Sequence, residues 1–517
     1  MKKKVLIFIL LSINLLVTEV LAQNKFVYSR PAALDQINRL KAKVEANPTS
    51  LEAYHAYIDA FYQVNNGINS PILEAQYKTW MGKFPKNYVV PLAAGEAYMR
   101  ENSPKAASFL LQASILKPNK AEIWYMLSQN ASYTNNISTQ QQYLKKAIFF
   151  DPSNAKYAFY YAYSFKDIDP ARYDSLSLQV ARRYPKQEYG ALSLSFLVEN
   201  STIKAQKLAY YRQLYNRKTN NLTYWYLSDA AEYFDLLLNI DPDQAFELGL
   251  TMVLEDKLFQ DVWNERLKVA TAFLQARKLI TENYAGEALT LLNQVSLDNV
   301  MLNRHIRAKE TLALLKAEAA AADKQTNLAY DGLSIFYSRE PSDRLQEALF
   351  KYGMKLGIDS DSVARNIRKI RESSAKAATD FCLDNYLPPG KSGLADYLGK
   401  VILLTYWEPA SFQSKEQFTH FEHVIRKFDS TKVAYLALNL DPVQDDFVLP
   451  FLKAGGYSFI PLHYNISRNK GNLKADGVPA SYLIDQKGRI IFSDFKIDAN
   501  NERTLELMIK ELLAVKD

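Results

Sequence analysis

One cysteine occurs in 517 residues, Cys382. A lone thiol cannot close an internal disulfide, build a Cys-rich zinc site or hold an iron–sulfur cluster. There is no long Lys/Arg run, and 63 basic against 56 acidic residues give a net charge of only +7. That balance gives no case for a nucleic-acid partner. Beyond the first residues no stretch of 18 apolar residues occurs, so no integral membrane segment is expected there. Histidines number five, and no Gly-x-Ser-x-Gly elbow is present. What is present is a folded-protein composition, 48% hydrophobic and 23% charged, with 34 tyrosines. At ~150 residues per domain the length suits two to four domains, or one domain plus a repeat array.

The N-terminus reads as a targeting signal. Lys2, Lys3 and Lys4 precede an apolar run from Val5 to Val17, interrupted by Ser12 and Asn14. Small residues at Val20 and Ala22 then set up cleavage before Gln23. The run is short for a membrane span, and no cysteine follows for lipid attachment. A signal peptide over 1–22 is expected, with an uncleaved anchor as the other reading. The mature protein is expected to be exported, in the periplasm or associated with the cell envelope.

Proline punctuates the next part. Pro48, Pro85, Pro118, Pro152 and Pro185 are separated by 37, 33, 34 and 33 residues. Trp124, Leu127, Leu144, Ala147 and Pro152 mark positions within one such period, and Gly95 with Tyr98 marks the preceding one. This pattern resembles tetratricopeptide repeats, helical hairpins that bury a continuous core only by stacking. Helical periodicity continues over 258–280, 286–295, 303–322 and 345–356, and 361–376 reads as a charged last helix and connector. The whole of 24–375 is expected to be an all-α solenoid of helical hairpins. Tyr157, Tyr160, Tyr161 and Tyr163 share one predicted helix, and Tyr224 and Tyr226 flank Trp225. Solenoid packing explains them, and an aromatic groove for a peptide or glycan is the alternative.

From about residue 376 the pattern becomes α/β. Val401-Ile402-Leu403-Leu404 is a continuous apolar run suited to a buried parallel strand, and 433–440 is a second. Residues 415–427 have helical spacing, 480–484 and 489–493 form a strand pair about a turn, and 504–513 is an amphipathic helix.

Four blocks of this region carry a resemblance to the TlpA-type thioredoxin-like family of exported thiol oxidoreductases. They are Phe381-Cys382-Leu383 with 394–400, then Val401–Trp407, then Gly477-Val478-Pro479 with 480–485, and Lys487-Gly488-Arg489-Ile490. The resemblance implies a thioredoxin-like domain over 376–517, with Val478-Pro479 as the cis-proline segment. It also implies a Cys-x-x-Cys shortly after Trp407. There the chain departs: the thiol positions are Ser411 and Ser414, with Phe412 and Gln413 between. The acid that many relatives carry two residues before the tryptophan is Thr405, and a glutamate common after the second cysteine is Gln417. Dithiol exchange needs a thiolate and a resolving thiol, so it is not expected here.

Other chemistry finds little support. A serine hydrolase would need a base beside Ser411 or Ser414, and His420 and His423 lie six and nine residues beyond Ser414. His420-x-x-His423 lacks an obvious third ligand, so a solvated helix face is expected and no metal or other cofactor. Cys382 reads as a small buried hydrophobe, or else as a thiol for a mixed disulfide. The retained groove, with Trp407, Phe412, Val478 and Pro479 as binding residues, suits an extended segment by strand addition. The expected protein is therefore an exported scaffold with a protein or peptide partner. Its alternatives are a thiol-disulfide oxidoreductase using Cys382, and a nutrient- or glycan-uptake accessory.

Overall fold

The computed structural model describes residues 30–514 apart from 66, 68, 69, 216–223, 256, 258, 298–306, 465–470 and 476. The expected signal peptide lies outside the described residues, as do the side chains of Tyr224, Trp225 and Tyr226. The protein is mostly helical with a C-terminal mixed sheet, and it separates into two compact units, 1–130 and 131–517. Among the described residues no helix is long and apolar enough to cross a membrane.

The first unit holds α1 (Arg30–Ala46), α2 (Leu51–Asn65), α3 (Pro71–Lys83), α4 (Val89–Arg100), α5 (Ala106–Leu116) and most of α6 (Ala121–Tyr133). Pro48, Pro85 and Pro118 each lie in the turn after every second helix, so the repeating element is a two-helix hairpin. Proline suits that place because it lacks the N–H a continuing helix needs. The turn is also anchored by an aromatic six residues on. The Tyr54 hydroxyl donates to the Pro48 carbonyl at 3.1 Å, and the Trp124 indole N–H donates to the Pro118 carbonyl at 2.6 Å. Tyr54, Tyr57, Tyr77 and Trp80 form the buried aromatic centre of the first hairpins.

The second unit continues with α7 (Ile137–Phe150), α8 (Ala155–Tyr163), α9 (Pro170–Arg183), α10 (Glu188–Asn200) and α11 (Lys204–Tyr215). Pro152 and Pro185 follow α7 and α9 in the same manner. Next come α12 (Tyr224–Ile240), α13 (Pro242–Glu255), α14 (Gln260–Thr281) and α15 (Ala285–Asn293). The last four are α16 (Arg307–Ala322), α17 (Thr326–Arg339), α18 (Asp343–Lys355) and α19 (Ser360–Ser374). The helices α12 and α14 are tied by a buried ion pair, Arg266 to Asp235 at 2.7 Å. The expected connector after α19 is reduced to one residue, Ala375, before β1 (Lys376–Ala377), an edge strand of the sheet. Arg371 of α19 is buried.

The α/β region adds β2 (Cys382–Asp384), β3 (Lys391–Gly393), β4 (Val401–Trp407), α20 (Phe412–Ile425), β5 (Val433–Asn439) and α21 (Asp445–Gly455). It ends with β6 (Ile460–His463), β7 (Ala480–Ile484), β8 (Arg489–Ser493) and α22 (Glu502–Leu513). The sheet runs β1-β8-β7-β4-β5-β6, with β4, β5 and β6 parallel and the others antiparallel. This is a thioredoxin-like arrangement. Every residue of β4 and β5 is buried, as a strand covered on both faces requires. Alternation divides β4 between two cores. Val401, Leu403 and Trp407 pack with α20, α21 and α22, while Ile402, Leu404 and Tyr406 pack under the β2–β3 hairpin and 394–397.

Candidate functional site

The candidate site lies where β4 ends and α20 begins. Tyr406 of β4 pairs with Ala480 of β7, so Val478 and Pro479, which precede β7, lie at the same end of the sheet as Trp407 and the turn that follows it. The Val478–Pro479 bond is cis.

Ser411 is the N-cap of α20. Its backbone is extended, and its hydroxyl accepts from the Ser414 N–H at 3.2 Å. Serine at an N-cap satisfies one of the orphan donors of the first turn, a role worth about 1 kcal/mol. The turn before it is held by Gln444, whose side-chain oxygen accepts from the Ala410 N–H at 2.7 Å. Ser414 is fully buried, and its hydroxyl has no hydrogen-bond partner among the described residues. Thr405 and Gln417, at the positions of the relatives' acids, are buried too. No described histidine bonds either serine.

Two expected groove residues are placed otherwise. Trp407 is 0% exposed and sits in the sheet–helix core against Phe418, Phe451 and Phe459, so it faces no groove. Alternation decides this: position 407 falls on the same side of β4 as Leu403, the side α20 covers. Phe412 does leave the core, but it packs against Tyr163 of α8 at 5.1 Å and Phe196 of α10 at 5.7 Å, between ring centres. Around it, the Tyr163 hydroxyl donates to Glu416 at 2.8 Å, and Lys166 reaches the same oxygen at 3.2 Å. Lys415 donates to the Ser132 hydroxyl at 3.3 Å and lies over the Tyr133 ring. Burial there pushes the Lys415 ammonium down to about 8. The first turn of α20 is therefore covered by helices of the same unit.

The tyrosines of α8 belong to this packing. Tyr157 is buried, Tyr160 packs on Phe159 and Tyr189, Tyr161 on Phe165, and Tyr163 on Phe159, Phe196 and Phe412.

Cys382 is exposed, not buried. The three residues of β2 alternate exposed, buried, exposed, and Leu383 takes the inward position. The β2–β3 hairpin covers the sheet with one face only, so its odd positions point outward.

His420 is likewise not on a solvated face: it is buried, whereas His423 is exposed. Both meet a group about 80 residues away that no local pattern joins to them. Glu502, in the first turn of α22, places its Oε1 2.8 Å from His420 Nδ1 and 3.1 Å from His423 Nδ1. Burial raises the Glu502 carboxyl, but the two imidazole bonds outweigh it and hold the group below the ordinary carboxylate range.

A search of protein-family models finds none that matches the chain, and no curated protein matches it. Solved structures do. A Chlorobium tepidum protein assigned as thiol:disulfide interchange protein DsbE is 23% identical, with 27% of this chain and 97% of that one covered and a TM-score of 0.24. A Bacteroides thetaiotaomicron protein assigned as a protein disulfide isomerase is 21% identical over 27% of this chain and 89% of its own, with a TM-score of 0.25. A secreted thiol-disulfide isomerase from Corynebacterium glutamicum is 14% identical over 27% and 88%, with a TM-score of 0.24. Each likeness is one of fold over a small part of this chain.

Proposed function

We propose that this is an exported interaction protein, in which a tetratricopeptide-like helical array binds a protein or peptide and a TlpA-type thioredoxin-like region serves as a docking module without redox activity. The carrying observation is at the first turn of α20. Serines 411 and 414 stand at both thiol positions, and Phe412 between them is packed under Tyr163 and Phe196. A serine hydroxyl stays protonated at neutral pH and forms no disulfide, so the chemistry is replaced as well as covered. Val478 and Pro479 remain partly exposed, which leaves backbone beside β7 for strand addition. The tyrosines of α8, engaged with one another and with Phe412, favour this reading over a glycan site.

Insulin reduction by the full chain tests the proposal. No turnover above the uncatalysed rate is expected. Turnover lost in Cys382→Ser would overturn it in favour of a thiol oxidoreductase, a reading that the exposure of Cys382 keeps concrete. Co-purification from the native envelope, with partner capture retained in the full chain after Cys382→Ser, is the positive counterpart.

A further inference from the structure

Two histidines and a carboxylate from separate elements converge on one point at the α20–α22 contact. His420 and His423 stand three residues apart on α20, a spacing that puts both on one face. Their Nδ1 atoms approach the same Glu502 oxygen at 2.8 and 3.1 Å, and the three ligand-capable atoms all lie within 4.8 Å of one another. A carboxylate and a histidine at i and i+3 on a helix are used together as metal ligands in helical bundles, so two side chains at that spacing can share an ion.

The distances suit a small divalent ion. With metal–ligand bonds of about 2.0–2.1 Å, neighbouring ligands of a tetrahedral zinc site lie roughly 3.3 Å apart. The observed nitrogen–oxygen separations are a few tenths of an ångström shorter, an opening that side-chain torsions supply. The side chains of His420, Glu502 and His423 are 11%, 26% and 59% exposed. Two ligands are thus fixed by packing, and the third faces solvent and leaves a way in. Three protein ligands with a fourth position open to water is the donor number of zinc sites that are not closed by a fourth residue.

We infer that His420, His423 and Glu502 bind a divalent first-row transition ion of the zinc class, pinning the start of α22 to the C-terminal half of α20. Binding needs both Nδ1 atoms unprotonated, so the ion replaces hydrogen bonds that the imidazoles otherwise donate to Glu502. The site lies outside the α20 first turn and does not depend on the function proposed above.

Titration of the chelator-treated full chain with ZnCl2 by calorimetry, and with CoCl2 by visible absorption, tests this. One equivalent is expected to bind, with the intense d–d bands of a low-coordinate cobalt site. Because His423 is exposed, His423→Gln keeps the fold, as circular dichroism checks, and should weaken zinc binding at least 100-fold. Glu502→Gln should do the same, whereas His463→Gln should leave it unchanged. Absence of one-equivalent binding, or zinc affinity unchanged in His423→Gln and Glu502→Gln, overturns the site and leaves a hydrogen-bonded cluster only.

Discussion

Lys415 shows how a single side chain can carry pH dependence. Its ammonium is enclosed beside Ser132 and the Tyr133 ring with no carboxylate bonded to it among the described residues, and its folded pKa is about 8 against an ordinary 10.5. A lowered folded value in a base means that the unfolded chain binds more protons between those two pH values. The penalty for burying the charge is therefore complete below pH 8 and is lifted as pH rises from 8 towards 10.5. Lys415→Met should raise stability by about 2 kcal/mol at pH 7, less than the full 1.36 kcal/mol per unit because the side chain keeps some solvent contact. Urea denaturation at pH 7 and pH 10 checks this, and a gain as large at pH 10 as at pH 7 sinks it. Ser411 and Ser414 give a second residue-level test. Ser411→Cys with Ser414→Cys should form a disulfide within one chain, because the N-cap bond already holds the two positions within one helical turn. Oxidation only between chains, seen on a non-reducing gel, would show that the two positions do not meet. The address of these serines was legible in the sequence from Trp407. The burial of Trp407 was legible only in part, since its side of the strand follows from alternation but the helix covering that side does not.

Among elements, helix contacts set the close approaches. An added Cβ at Gly95 of α4 would stand 2.5 Å from Leu110 Cδ2 of α5, and one at Gly190 of α10 would stand 2.0 Å from the Tyr184 carbonyl oxygen. A leucine can shift, but a backbone carbonyl ending a helix cannot easily. Gly95→Ala should cost about 1 kcal/mol, part of the overpacking being offset by alanine's helix propensity, and Gly190→Ala about 3 kcal/mol. Thermal unfolding ranks them, and the opposite order would contradict the contact argument. Gly95 stands out by its place in the period, whereas Gly190 carries no local signal. Helix α21 and strand β6 carry no local signal either. Pro450 lies inside α21, and β6 is a four-residue strand containing Pro461, so neither has a clean periodicity. By contrast β7 and β8 occupy the residues that the sequence pattern predicts, because a five-residue strand on each side of a Gly-containing turn is a local pattern. Phe412→Ala tests the contact between elements: removal of a half-buried ring should cost about 2 kcal/mol and speed proteolysis of α20's first turn. Unchanged stability would show that the aromatic cluster is incidental.

On the scale of the molecule, the α/β region is not a free-standing module on a stalk. Helices from 131 onward touch it at several places. Tyr133 packs on Phe447, Asn500 bonds the Glu199 carbonyl, Tyr337 and Arg371 bond Glu511, and Arg503 pairs with Asp343 at 2.9 Å. A fragment of 376–517 should therefore expose Phe412 and its surroundings. It is expected to bind a hydrophobic dye more strongly than 131–517, and equal dye binding per mole would contradict this.

The amino-acid sequence by itself determined the hairpin periodicity, the strands about the Gly488 turn, and the loss of both thiols, because each is written in neighbours a few residues apart. Tertiary structure alone decided that Phe412 is covered by Tyr163 and Phe196, that Cys382 faces outward, and that Glu502 meets His420 and His423. The Phe412 and Glu502 contacts join residues about 80 to 250 positions apart, the side of β2 that turns inward depends on the sheet beneath it, and local periodicity cannot encode which distant faces will bury each other.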